Sequence, residues 1–255
     1  MSPAPRRTRA LLSALVLSLT VAACSGERPE LTDDALPSST TEETTTTTEA
    51  APPSLRAEAE GDSIAVYASE DAAEPERTLT AAEVTSAPGI PIVLLVKEQG
   101  DERLEVYLPV RPNGSTGWVD ADDVEVTPVT HRIEVELAGK RIRVYEGDEV
   151  LVDEPVGVGR EDRPTPGGIY YIKELLQPPE PDGPYGSYAY GLSGFSNVLT
   201  SFAGGEGVIG IHGTNDPDSI GQDVSSGCIR LQNDVIERMV EEIGLPLGTP
   251  VEIIA

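Results

Sequence analysis

Residues 209–215 read Ile-Gly-Ile-His-Gly-Thr-Asn, and residues 224–231 read Val-Ser-Ser-Gly-Cys-Ile-Arg-Leu. His212 and Cys228 stand 16 positions apart, and each has a glycine beside it. A free thiol with a pKa near 8.5 is only about 3% ionised at neutral pH, so a neighbouring imidazole that takes its proton makes it an effective nucleophile. The glycines let backbone N–H groups come close to an oxyanion. The two segments therefore predict a Cys/His nucleophile pair of the kind that acyl transfer requires.

Both residues also have simpler explanations. A lone cysteine is often a small buried hydrophobe, and a lone histidine on a strand is often a hydrogen-bonded core residue. A metal site is not expected, because the chain has 2 His, 2 Cys and no Cys-x-x-Cys spacing, which are too few soft ligands for structural zinc. We therefore expect neither a metal nor a cofactor, and we assign His131 a structural role.

A mostly-β domain is predicted to surround the pair, over residues 131–255. Residues 132–137 and 141–145 alternate between polar and apolar side chains, with an Ala-Gly turn between them, and residues 150–152 extend the pattern. Such alternation predicts a meander of half-buried antiparallel strands. Residues 251–254 are predicted to add a last strand.

One helix is predicted after the cysteine. Asp234 is expected to cap its start, with Glu237 as the partner in a capping box, and Gly244 is expected to end it. Residues spaced three and four apart form its apolar face: Val235, Ile236, Met239, Val240 and Ile243.

Residues 178–194 are rich in Pro and Gly and predict a long loop of the sort that closes over an active site. Five tyrosines in and near this segment either line a substrate groove or are structural: Tyr170, Tyr171, Tyr185, Tyr188 and Tyr190.

A smaller β domain is predicted over residues 61–128. Its β-type runs lie at 64–67, 91–96, 104–108 and 117–119. These short strands and their turns predict a small barrel, and the arrangement resembles the Src-homology-3-like domains of bacterial wall proteins. Trp118 is either a ligand-stacking platform or a core residue.

The N-terminus has the features of a secretory signal. Three arginines within the first nine residues precede an apolar run at 10–23, which is too short to cross a bilayer core of about 30 Å. The run ends in Val-Ala-Ala followed by Cys24, which resembles the lipobox of bacterial lipoproteins. We predict that residues 1–23 are a lipoprotein signal peptide and that Cys24 is lipidated. An ordinary signal peptide is the alternative.

Residues 24–60 are predicted to be a lipidated cysteine and a disordered linker. The segment is rich in Thr, Glu and Pro and cannot bury enough apolar surface to offset its ordering entropy. The expected location is the cell envelope, with a lipid anchor in the outer face of the cytoplasmic membrane and the protein as a monomer.

The charge balance excludes one class of partner. The chain has 44 Asp and Glu against 18 Lys and Arg, a formal net charge of −26. Such a chain repels phosphates instead of releasing their counterions, so nucleic-acid binding is not expected.

At this point the motifs together carry a family resemblance. The His-Gly-Thr at 212–214, the Ser-Ser-Gly-Cys-Ile-Arg at 225–230 and the Arg-Pro-Thr-Pro-Gly-Gly-Ile-Tyr at 163–170 resemble the signature of L,D-transpeptidase catalytic domains of the YkuD type. The resemblance covers residues 131–255. It implies a β-sandwich with one helix after the catalytic cysteine, and 3→3 cross-linking of peptidoglycan stem tetrapeptides through a thioester.

The resemblance also implies residue roles. Cys228 matches the nucleophile, His212 the general base, and the carbonyl of Gly213 the group that orients the imidazole. The N–H groups of Gly227 and Cys228 are predicted to bind the oxyanion. The predicted substrate-binding residues are Arg230, Ser226, Thr214 and Tyr190. Arg230 either holds a substrate carboxylate or anchors its loop, and a carbapenem is expected to acylate Cys228.

One position departs from the family pattern. The family commonly has Ser-His-Gly-Cys, and Ser226 occupies the position of that second histidine. A hydroxyl can donate a hydrogen bond but cannot carry a positive charge beside the thiolate. Two other functions stay open: L,D-carboxypeptidase action, in which water resolves the thioester, and peptidoglycan binding without turnover.

Overall fold

Short β-strands dominate the computed structural model, which describes residues 52–201 and 205–255. The predicted signal peptide, Cys24 and most of the predicted linker lie outside these residues. Within them, no helix is long and apolar enough to cross a membrane. The mostly-β prediction is confirmed for both the N-terminal and the C-terminal parts of the described chain.

The N-terminal part is a five-stranded antiparallel sheet with a two-stranded hairpin beside it. Its elements are β1 (Ser54–Ala59), β2 (Ser63–Val66), β3 (Arg77–Thr80), the one-turn helix α1 (Ala81–Val84), β4 (Val93–Gln99), β5 (Arg103–Tyr107), β6 (Thr116–Asp120) and β7 (Val124–Val129). The sheet order is β6-β5-β4-β1-β7, and β2 pairs with β3. All four predicted strand regions of this part are present, and Trp118 lies on β6.

β1 corrects the linker boundary. The prediction of disorder through residue 60 is wrong for Ser54–Ala59, because this segment lies between β4 and β7 and pairs with both. Its own side chains are a weak signal, since the one fully buried member is the small Ala57. The strand obtains its order from hydrogen bonds to two neighbours, which are invisible in a local stretch of sequence.

The C-terminal part is built on one eight-stranded mixed sheet. Its strands are β8 (His131–Glu136), β9 (Arg141–Glu146), β10 (Glu149–Pro155), β11 (Val158–Gly159), β12 (Gly168–Leu176), β13 (Ala189–Phe195), β14 (Val208–His212), β15 (Asp223–Ser225), β16 (Ile229–Arg230) and β17 (Pro250–Ile254). The order in the large sheet is β10-β9-β8-β17-β12-β13-β14-β16, and β11 pairs with β15. The predicted meander β8-β9-β10 and the last strand β17 are confirmed.

β13 corrects the predicted loop at 178–194. Residues 189–194 of this Gly-containing segment form a strand with Phe195, between β12 and β14. Its glycines provide room for side chains of the neighbouring strand: a Cβ on Gly191 would lie 2.6 Å from Glu174 Cγ, and one on Gly194 would lie 2.4 Å from Tyr170 Cε1. Glycine here marks close packing within a sheet and not a loop.

The single longer helix follows the cysteine as predicted. It begins as α2 (Asn233–Glu237), continues as a wider π-helical turn through Ile243, and ends at Gly244 in the left-handed region with φ 69°. Ile236 and Met239 are fully buried on the predicted apolar face. The Asp234 cap is wrong: the N-cap is Gln232, whose side chain makes no capping hydrogen bond.

The two sheets share buried contacts along β12. Tyr171 is fully buried in the hydrophobic cluster of the N-terminal sheet. The adjacent Lys173 and Glu174 are also buried, with their charged atoms 3.3 Å apart. Lys173 donates to the carbonyl of Val84, and Glu174 accepts from the backbone N–H and the hydroxyl of Ser86. β12 is therefore an element of both hydrophobic cores.

Candidate active site

The ends of two adjacent strands bring the predicted pair together. His212 is the last residue of β14, and Cys228 directly precedes β16. The two strands are parallel, with Ile211 opposite Ile229 and His212 opposite Arg230. This pairing places the 212 and 228 segments side by side although 16 positions separate them in sequence.

The imidazole of His212 is held by its neighbour's backbone. Its Nδ1 lies 2.6 Å from the carbonyl oxygen of Gly213, and the side chain is 5% exposed. An Nδ1–H that donates to this carbonyl leaves Nε2 with a free lone pair, the form that a general base needs. The ring of Tyr185 meets the imidazole in an edge-on contact, with centroids 5.0 Å apart.

A close approach of glycines sets the position of Tyr185. Gly186, in the left-handed region with φ 66°, packs so tightly that a Cβ on it would lie 2.6 Å from Gly213 Cα. A Cβ on Gly213 would lie 2.2 Å from Asn233 Oδ1, which accepts the N–H of Thr214 at 2.9 Å. Larger residues at either glycine would push the 185–186 segment away from His212.

Burial lowers the pKa of His212 to about 4, and the positive charge of Arg230 lowers it further, against the effect of the Gly213 carbonyl. The imidazole is therefore neutral at pH 7. Burial raises the pKa of the Cys228 thiol, while a hydrogen bond from the Gly210 backbone and the charge of Arg230 oppose this. The resting pair is thiol and imidazole, so attack requires proton transfer to His212 instead of a preformed ion pair.

The hydroxyl of Ser225 stabilises the shape of residues 225–228, which we call the nucleophile loop. Ser225 Oγ accepts the N–H of Gly227 at 3.1 Å and donates to the carbonyl of Cys228 at 2.6 Å. Gly227 has φ +121°, which only glycine adopts without strain. The predicted oxyanion role of the Gly227 N–H is wrong for this conformation, because that donor is already used. The N–H of Cys228 has no acceptor within residues 52–201 and 205–255.

The predicted substrate-binding residues have different surroundings. Arg230 is partly exposed, its Nη1 lies 3.9 Å from Asp216 Oδ2, and its buried Nε has no partner among the described residues. Ser226 Oγ accepts from Arg163 Nη1 at 3.4 Å. Arg163 was not assigned a role from sequence, although it begins the 163–170 motif. Both arginines therefore have donors near the nucleophile loop.

Two other predicted substrate-binding residues make contacts within the protein. Tyr190 is fully buried in the core and its hydroxyl donates to the carbonyl of Met239 at 3.2 Å, so its predicted contact with substrate is wrong. Thr214 is 5% exposed, and its hydroxyl accepts the N–H of Asp216. This contact explains Thr214 as a turn residue. Within the described chain, no group of three or more His, Cys, Asp or Glu could hold a metal ion.

Comparison with known proteins finds relatives of the C-terminal part of the chain. The L,D-transpeptidase catalytic domain family YkuD matches residues 130–253. The chain is similar to the putative L,D-transpeptidase YkuD of Bacillus licheniformis, at 36% identity over 52% of this chain and 77% of that one. It is also similar to the putative L,D-transpeptidase YkuD of Bacillus subtilis, at 36% identity over 43% of this chain and 58% of that one.

Among solved structures, the chain is similar to an L,D-transpeptidase from Mycobacterium smegmatis. The TM-score is 0.41 at 14% identity, with 64% of this chain and 90% of that chain covered.

Two adjacent serines give a test of the loop geometry. Ser225→Ala leaves the buried Gly227 N–H without an acceptor, so we expect the free energy of unfolding to fall by about 1–3 kcal/mol. Ser226→Ala loses one long hydrogen bond at 3.4 Å and should change stability and Cys228 acylation by about 0.5–1.5 kcal/mol at most. Urea unfolding measures the first effect, and equal effects of the two substitutions would contradict the bridging role of Ser225.

The neutral resting pair predicts a pH dependence. Because burial raises the thiol pKa, the thiolate fraction of Cys228 should still be increasing above pH 8.5, with no plateau near neutrality. Alkylation by iodoacetamide between pH 6 and 10, with the adduct located on the Cys228 peptide by mass spectrometry, measures this. Maximal alkylation already at pH 6–7 would mean that the pair rests as thiolate and imidazolium.

Proposed function

We propose, on the premise that this chain belongs to the L,D-transpeptidase family, that it forms 3→3 cross-links in peptidoglycan through a thioester on Cys228. The observation that carries the proposal is the pairing of β14 with β16, which places an oriented, neutral His212 beside the nucleophile segment.

The first half of the reaction is acylation by a donor stem tetrapeptide. Cys228 Sγ attacks the carbonyl carbon of the third residue while His212 Nε2 takes the thiol proton. The oxygen of the tetrahedral intermediate accepts a hydrogen bond from the Cys228 N–H, which has no other acceptor in the described chain. His212 then returns the proton to the amine of the terminal D-Ala, the C–N bond breaks, and the thioester remains.

The second half transfers the acyl group to an acceptor. The side-chain amine of the third residue of another stem attacks the thioester carbonyl and gives its proton to His212. The C–S bond then breaks, and His212 returns the proton to the Cys228 sulfur, which restores the thiol. Burial of the imidazole suits both halves, because a neutral His212 can accept a proton at pH 7. Water in place of the amine would give the tripeptide, which is the L,D-carboxypeptidase alternative.

Arg230 is the proposed site for a substrate carboxylate. Its Nε has no hydrogen-bond partner in the described chain, and Asp216 engages only Nη1 at 3.9 Å. A guanidinium with unused donors two residues after the nucleophile fits the terminal carboxylate of a D-Ala leaving group. This contact would orient the scissile bond toward Cys228.

The proposed location is the outer face of the cytoplasmic membrane, through a lipid on Cys24. The support is the sequence alone: an arginine-containing N-terminus, the apolar run at 10–23 and the cysteine that follows it. A tethered enzyme of this kind would meet peptidoglycan above the membrane.

Replacement of Cys24 tests the anchor. Cys24→Ser should give a protein that partitions into the aqueous phase of a detergent separation or that accumulates as an unprocessed precursor. Cys228→Ser is the matched control and should partition as the wild type does. Normal processing with unchanged partitioning of Cys24→Ser would refute the lipid anchor.

Mass spectrometry of the full chain in detergent, incubated with tetrapeptide muropeptides or a carbapenem, tests the enzyme proposal. We expect a covalent adduct on the Cys228 peptide, none with Cys228→Ala, and a roughly 10²–10⁴-fold slower adduct with His212→Gln. The matched control is His131→Gln, which changes the chain's other histidine and should acylate at the wild-type rate.

The products separate the alternatives. A 3→3 dimer formed with an acceptor stem supports transpeptidation, and tripeptide alone supports carboxypeptidase action. If the wild type binds peptidoglycan but forms no adduct with either reagent between pH 6 and 9, the protein is a binding module and the enzyme proposal is wrong.

A further inference from the structure

Two side chains of the N-terminal sheet contact the hairpin that carries the catalytic histidine. Arg111 and Asn113 lie in the turn between β5 and β6, far from Cys228 in sequence. Their contacts are to Phe195, the last residue of β13, and to the segment that connects β13 with β14. Because β14 ends in His212, this segment and the general base belong to one hairpin.

Arg111 holds both arms of this hairpin at once. Its Nη1 donates to the carbonyl of Ser196 at 2.9 Å, and its Nη2 donates to the carbonyls of Leu199 at 3.1 Å and Glu206 at 2.8 Å. Ser196 and Leu199 leave β13, while Glu206 leads into β14. The guanidinium also lies over the ring of Phe195, 4.8 Å from its centroid. One cation therefore joins the two arms at the end where the connecting segment links them, next to the Phe195–Val208 pair.

Asn113 fixes the point at which β13 ends. Its Nδ2 donates to the carbonyl of Phe195 at 2.7 Å, and its Oδ1 accepts the N–H of the same residue at 2.9 Å. The amide thus pairs with both backbone groups of Phe195, as a neighbouring strand would. This two-point contact sets the register of the hairpin against the N-terminal sheet.

Ser196, whose carbonyl accepts from Arg111, lies close to the loop that contains Gly227 and Cys228. Ser196 is buried, its N–H donates to the carbonyl of Gly207, and its hydroxyl accepts the N–H groups of Val198 and Leu199. A Cβ built on Gly227 would lie 3.9 Å from Ser196 Cβ. The Arg111 contact to Ser196 is thus one residue from the loop that holds Cys228.

The sequence of this segment explains why it needs support. Residues 205–207 read Gly-Glu-Gly, and glycines lose more backbone entropy on ordering than any other residue. Carbonyls near the end of a hairpin have no strand partner of their own. Arg111 and Asn113 donate four hydrogen bonds to carbonyls of the hairpin, and Asn113 Oδ1 accepts the N–H of Phe195.

We propose that Arg111 and Asn113 are positioning residues for the reaction at Cys228, so that the N-terminal sheet completes the active site of the catalytic domain. They act through the β13–β14 hairpin, which carries His212 on one arm and places Ser196 against the nucleophile loop on the other. The proposal rests on the proposed acyl transfer for its kinetic consequence but not for the contacts themselves.

The test compares Arg111→Ala and Asn113→Asp with Arg77→Ala in the full chain. Arg77 is an exposed arginine of the same N-terminal sheet region, on β3, and makes no side-chain hydrogen bond to another described residue. We expect the limiting rate of Cys228 acylation by a carbapenem to fall roughly 10- to 100-fold in Arg111→Ala and Asn113→Asp, which we call the clamp variants. Small misplacements of a catalytic group have effects of this size. The half-saturating concentration should change less, and Arg111→Lys should fall between Arg111→Ala and the wild type.

A second readout does not need acyl transfer. The charged or titratable groups that interact with the Cys228 thiol are Arg230 and Tyr185, and neither they nor His212 are changed in the variants. Loosening the hairpin should hydrate the thiol, so the alkylation midpoint should move down toward that of a free thiol. Amide exchange of residues 195–199 should also become faster.

The outcomes separate the two proposals. If the clamp variants match Arg77→Ala in acylation rate, alkylation midpoint and exchange, the positioning role is wrong. If the wild type forms no adduct with a carbapenem or tetrapeptide, the acyl-transfer proposal fails, and the alkylation midpoint and exchange rates still decide whether the clamp shapes the Cys228 site. A general loss of stability would lower the unfolding midpoint without moving the alkylation midpoint of the folded protein.

Discussion

The parallel pairing of β14 with β16 is the constraint on which the site depends. It fixes His212 opposite Arg230 and therefore sets Cys228 one step before the paired segment. A slip of one residue would turn every side chain of the short strand to the other face of the sheet and separate the pair. With only two residues in β16, this register needs support, and the Ser225 hydroxyl and the fully buried Ile229 provide it.

The electrostatics of the pair follow from the same burial. Desolvation favours the neutral form of both groups, so the pKa of His212 falls while that of the Cys228 thiol rises. A second imidazole at position 226 would add a cation beside a developing thiolate, and Ser226 adds only a hydroxyl. Arg230 is the cation that remains close to both groups. Its charge favours loss of the thiol proton and disfavours acceptance of that proton by His212, so its two effects on the pair oppose each other.

The features that could be predicted from the sequence are those that depend on a local pattern of residues. The alternation in residues 132–145 was enough for the meander, and the His-Gly and Gly-Cys segments were enough to locate the pair. β1 and β13 were missed because their order comes from neighbours on both sides, and because Gly191 and Gly194 make room for Glu174 and Tyr170. Each of these contacts joins residues distant in sequence.

The site residues also divide into those set by local sequence and those set by contacts between distant residues. The orientation of His212 by Gly213 involves adjacent residues, and the family resemblance implied it. The use of the Gly227 N–H by Ser225 and the burial of Tyr190 depend on how the chain turns, so the roles assigned to these two residues were wrong. The clamp of Arg111 on Glu206 spans 95 positions, and no local pattern encodes it.

Through these long-range contacts, the N-terminal sheet influences the position of His212. β12 places Tyr171 in the core of that sheet and its Lys173–Glu174 pair against α1, so the strand is fixed from the N-terminal side. β13 lies between β12 and β14, and Asn113 holds its end. A displacement of the N-terminal sheet would therefore be transmitted through two hydrogen-bonded strands to His212. Because close-packed protein interiors resist small continuous shifts, the position of His212 is coupled to the N-terminal sheet.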